Sequence, residues 1–134
     1  KNYINGRLGL LIDGTGKDYP KIAKQKNRLQ KVGYDCFMIF VNTDLEVALE
    51  RNKKRERTLP EKLVKDSWQS VQNNLGKFQG LFGTGNMIIV DNSEFKAFPS
   101  IVKKGANEFI TRKIQNPIAK AWIKKELELR KKKW

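Results

Sequence analysis

Cys36-Phe37-Met38-Ile39-Phe40-Val41-Asn42, followed at once by Thr43-Asp44-Leu45-Glu46, is the stretch on which the fold turns. Its apolar residues run on without alternation and include aromatic and β-branched side chains. A strand covered on both faces reads this way, and such strands belong to parallel sheets flanked by helices. Thr43 with Glu46 three residues on has the form of a capping box, and Leu45, Ala48 and Leu49 supply the apolar stripe of a helix. The stretch therefore predicts a strand that leads directly into a helix.

Two further runs match it. Leu8-Gly9-Leu10-Leu11-Ile12-Asp13 precedes Gly14-Thr15-Gly16, and Met87-Ile88-Ile89-Val90-Asp91 also ends in an acid. Both are expected to be strands. Tyr19 to Val32 predicts a helix stopped by Gly33, with Ile22, Leu29 and Val32 near one face. Pro60 opens a longer one, in which Leu63, Val64, Trp68, Val71 and Leu75 recur up to Gly76 or Gly83. Ile101 to Ile114 and Pro117 to about Lys132 complete the set, the last capped by Asn116. The order β-α-β-α-α-β-α-α predicts one α/β domain over residues 1–134, a three-layer, mostly parallel sheet flanked by helices.

Composition removes whole chemistries. The chain has 134 residues, no His and one Cys. A Ser-His-Asp triad, a His metal site, an intrachain disulfide and a thiolate zinc cage are all excluded. The longest apolar run, Phe37 to Val41, is far too short to span a bilayer, and no signal-peptide pattern opens the chain. A cytoplasmic protein without a membrane partner is expected, cut from a longer reading frame. With 28 Lys and Arg against 14 Asp and Glu, the net charge is +14 and favours polyanionic partners. The charge is spread over three helical regions, which is the usual pattern of a solvated surface. Trp68 and Trp122 fall on apolar stripes and are expected in the core, whereas Trp134 ends a charged tail.

Gly14-Thr15-Gly16-Lys17 invites a phosphate-loop reading and fails it. Position 11 is Leu11 where the first glycine is needed, and Asp18 follows Lys17 where Ser or Thr should stand. Gly80-Leu81-Phe82-Gly83-Thr84-Gly85 continues with Asn86-Met87 and follows a helix. Two groups remain. Asp13, with Thr15 and Gly16, would sit beyond the carboxyl end of a strand, where ligands of open parallel sheets bind. An acid there can hold Mg²⁺ through water or accept a hydroxyl proton; a glycine turn with polar caps accounts for the same residues equally well. Arg51, Arg55 and Arg57 offer guanidinium forks suited to phosphate oxygens, although a basic helix C-terminus has the same composition.

Taken in order, Ile12-Asp13-Gly14-Thr15-Gly16, Gly33-Tyr34-Asp35, Met38-Ile39-Phe40-Val41, Asn42 to Asn52 and Arg55-Glu56-Arg57-Thr58-Leu59-Pro60 form a recognisable series. It resembles the later part of P-loop kinases of the zeta-toxin and polynucleotide-kinase kind, and is especially similar to kinase-like proteins of large tailed phages. The resemblance covers residues 7–75, and more loosely the chain to Asp91. It implies a phosphotransferase using ATP or GTP with Mg²⁺, in which Asp13 lies near substrate and metal. Thr15 and Gly16 would form the substrate-side loop, and Arg51, Arg55 and Arg57 the lid over the nucleotide phosphates. The phosphate loop of such kinases lies upstream of these residues and is absent here, so the chain is expected to be an inactive fragment with no tightly held cofactor. The missing strand would leave a gap between residues 8–13 and 36–42, expected to close by direct pairing or by exchange with another copy. A basic nucleic-acid-binding module without catalysis is the alternative reading, and the acceptor substrate stays open.

Overall fold

A computed structural model describes residues 2–93 and 98–133. The protein is mixed α/β and largely helical. Its elements are α1 (Asn2–Asn5), α2 (Tyr19–Lys31), β1 (Met38–Asn42), α3 (Leu45–Lys53), α4 (Glu61–Phe82), β2 (Met87–Asp91), α5 (Phe98–Thr111) and α6 (Pro117–Lys133). They divide into two compact units, residues 1–36 with 113–134, and residues 37–112. Trp134 lies outside the described residues. No described helix is long and apolar enough to cross a membrane.

The second unit holds the sheet. β1 and β2 pair in parallel, Met38 opposite Met87 through Asn42 opposite Asp91, joined by the crossover that parallel pairing requires, here α3 and α4. Phe40 faces Phe78 of α4 with ring centroids 6.3 Å apart. On the other face α5 brings Phe109 against Phe37, stacked at 4.7 Å, and passes so close to β2 that a Cβ at position 105 would run into the Cδ1 methyl of Ile88. Phe40, Phe78, Phe82, Val90 and Phe109 are buried and form the core, each worth about 1.5–3 kcal/mol of burial. Val41 and Ile89 stay exposed. Gly83, at φ +84°, ends α4, and Arg112 ties the entry to β2 by donating to Gly85 O at 2.7 Å and Asn86 Oδ1 at 3.0 Å.

The first unit is built on α2 and α6. Asp18 caps α2, its carboxylate accepting from Lys21 N at 3.1 Å. Asn116 caps α6 as expected, accepting from Ile118 N at 2.9 Å. Its Nδ2 also donates to Gln30 O and Tyr34 O, at 2.8 and 3.0 Å, which latches α6 to the end of α2. Gly33 takes φ +109°, a conformation that favours glycine, where α2 gives way to the loop.

Three expectations are corrected. Residues 8–13 form no strand, and the sheet has two strands in place of three. An apolar run becomes a strand only when a neighbour takes its N–H and C=O groups. Here no ladder partner exists among the described residues, Leu8 O accepts from Tyr34 Oη at 2.7 Å, and Leu11 is 98% exposed. Direct pairing of 8–13 with β1 therefore does not occur. Asp44, not Thr43, is the N-cap residue of α3, without a side-chain cap bond. Trp122 lies at the surface under the Arg7 guanidinium, 4.4 Å from the ring centroid, and is not core.

Candidate functional site

The carboxyl ends of β1 and β2 are drawn together by side chains. Asn92 N donates to Asn42 O at 2.7 Å and prolongs the ladder by one bond. Gln72 of α4 donates to Asn42 Oδ1 at 2.7 Å, and Trp68 Nε1 to Thr43 O at 2.7 Å. Asp44 N donates to Ser93 Oγ at 3.0 Å, and Ser93 N to Asp91 Oδ1 at 2.9 Å. The Ser93 backbone N–H, then its hydroxyl, hold the Asp91 carboxyl below its ordinary value because both hydrogen bonds favour the charged form. Arg51, in the last turn of α3, reaches this edge and donates from Nη2 to Asn92 O at 2.7 Å. Among the described residues Asn92 Oδ1 is buried and has no hydrogen-bond partner, the situation that a water, ion or ligand donor ordinarily satisfies.

Beyond α3 the chain turns back through residues 54–60 into α4. Asn52, buried itself, clasps this turn, with Nδ2 donating to Leu59 O at 2.8 Å and Leu59 N donating to Oδ1 at 3.0 Å. The clasp fixes both ends of the segment that carries Arg55 and Arg57, both exposed. A cavity of about 270 Å³ lies beside it, lined by Leu49, Asn52, Lys53, Thr58, Leu59 and Glu61. Among the described residues no three Asp, Glu or Cys side chains converge as a metal-ligand set. Guanidinium groups such as these bind phosphate oxygens in bidentate fashion.

The expected site residues are thus distributed. Arg51 has a fixed place at the sheet edge, and Arg55 and Arg57 share the clasped turn. Asp13, Thr15 and Gly16 belong to the other unit, in the irregular segment between α1 and α2, where Asp13 and Thr15 are exposed and Gly16 has φ +74°. Asp13 stands at the end of no strand. Asn52, Asn92 and Ser93 were not anticipated. Asn52 had a signal, since the stripe Leu45, Ala48, Leu49 continues by helical spacing to position 52, where an amide replaces an apolar side chain. Comparison with protein-family models, curated protein sequences and solved structures returns no match to this chain.

Proposed function

We propose that the chain is the phosphate-clamping portion of a nucleoside-triphosphate-dependent phosphotransferase. The observation that carries this reading is the turn 54–60, closed on Asn52 and presenting Arg55 and Arg57, with Arg51 anchored at the carboxyl edge of a parallel sheet. Such a turn holds guanidinium groups ready for the charge that develops on a transferring phosphoryl group. In this reading Arg55 and Arg57 meet the phosphates, while Arg51 fixes the angle between α3 and the sheet edge. Asp13, Thr15 and Gly16 belong to the other unit and are given no role in this clamp. The 134 residues contain no phosphate loop, so they supply the clamp and not the cradle, and turnover by this chain alone is not expected.

Titration with ATP, GTP and tripolyphosphate, followed residue by residue in amide NMR spectra, tests the reading. Weak binding that shifts the amides of residues 51–60, and that Arg55→Ala with Arg57→Ala removes, is expected. Shifts confined to other residues, or micromolar affinity without a phosphate loop, would overturn it.

A further inference from the structure

Dividing the chain into its two units changes the meaning of its charge. The first unit carries 16 Lys and Arg against 5 acids, a net +11 over 58 residues; the second carries 12 against 9, a net +3 over 76. The charge is therefore concentrated, not spread. Within the first unit it is also ordered. Lys21, Lys24, Arg28 and Lys31 of α2 follow one another at three-, four- and three-residue steps, which puts them on one stripe of the helix. All four are exposed, while Ile22, Ala23 and Leu29 on the opposite side are half-buried. No acid lies within α2, and none of the four cations is in an ion pair among the described residues. Like charges at these spacings repel one another along the helix, so an anionic partner would relieve the stripe.

We propose that the Lys21–Lys24–Arg28–Lys31 stripe docks the phosphodiester backbone of a nucleic acid, independently of any phosphotransfer. At 1.5 Å per residue the stripe is about 15 Å long. Over that distance one strand of a duplex presents about four phosphates. The fit is to the backbone, so binding is insensitive to base sequence and steeply dependent on salt. An anionic bilayer is the poorer match. A helix lying on a membrane buries an apolar face among the lipids, and the apolar side chains of α2 are turned away from the stripe.

The experiment is fluorescence anisotropy with a labelled DNA duplex and its single strand over a salt series. Two variants of equal charge are compared with the unaltered chain. One changes Lys21, Lys24, Arg28 and Lys31 to Ala; the other changes the exposed Lys62, Lys65, Lys103 and Lys104 of α4 and α5 to Ala. Circular dichroism verifies that both fold. The first variant is expected to lose at least about tenfold in affinity and to lower the duplex salt slope by about 3 to 4. The second should bind within about twofold of the unaltered chain. Equal losses in both variants, no binding by the unaltered chain, or tighter binding to phosphatidylserine vesicles than to either oligonucleotide would overturn the proposal.

Discussion

Asn52 does the work of a second strand of backbone, answering both the N–H and the C=O of Leu59 with one amide. Removing it breaks both hydrogen bonds to Leu59, a residue that is half exposed, so water takes up part of the loss. Asn52→Ala is therefore expected to lower stability by about 1–3 kcal/mol, read from the urea midpoint. Asn52→Asp keeps the acceptor and loses the donor, and should fall between. If Asn52→Ala unfolds at the same urea concentration as the unaltered chain, the clasp contributes nothing. Asn92 is the converse case, with a buried amide oxygen that no described residue answers. Neither role could be read from composition, because each depends on a partner supplied by chain closure. Asn52 alone left a trace, through its place on the apolar stripe of α3.

At the scale of elements, the helices were legible because their periodicity is local, and the four long ones fall within a few residues of expectation. β1 and β2 were legible for a different reason, their continuous apolarity being matched by helices on both faces. Residues 8–13 have the same apolarity and failed, since strand formation also needs a non-local ladder partner that no composition reveals. Two glycines separate local from packing effects. Gly76 in α4 has nothing within 4 Å of where a Cβ would stand. Gly76→Ala should therefore stabilise by about 0.5–1 kcal/mol through helix propensity. Gly105→Ala gains the same propensity but forces the new methyl into Ile88. Overpacking of this kind costs about 1–3 kcal/mol, so a net loss is expected. Adding Ile88→Val, which removes the clashing Cδ1, should recover most of it. Thermal melts of the single and double variants decide the matter, and equal gains at both glycines would contradict the packing described for α5.

At the scale of the whole molecule, one unit is crowded with cations and the other is nearly balanced. Repulsion within the first is screened by salt, as the Debye length shrinks from about 10 Å at 0.1 M to about 3 Å at 1 M. Raising NaCl should slow amide exchange in α2 and α6 more than in α4 and α5. Equal slowing in the two units would show that the charge division has no energetic consequence. The sequence already held the total charge, but the division needed the contact pattern that assigns residues 113–134 to the same unit as residues 1–36. The tryptophans follow that division too. Trp68 gives its indole N–H to a carbonyl of the sheet unit, whereas Trp122 of the basic unit lies at the surface beneath a guanidinium. Their emission should consequently differ in colour and in access to collisional quenchers, iodide being gathered by the cations around Trp122 and caesium repelled. Each half of the protein thus carries its own native optical reporter.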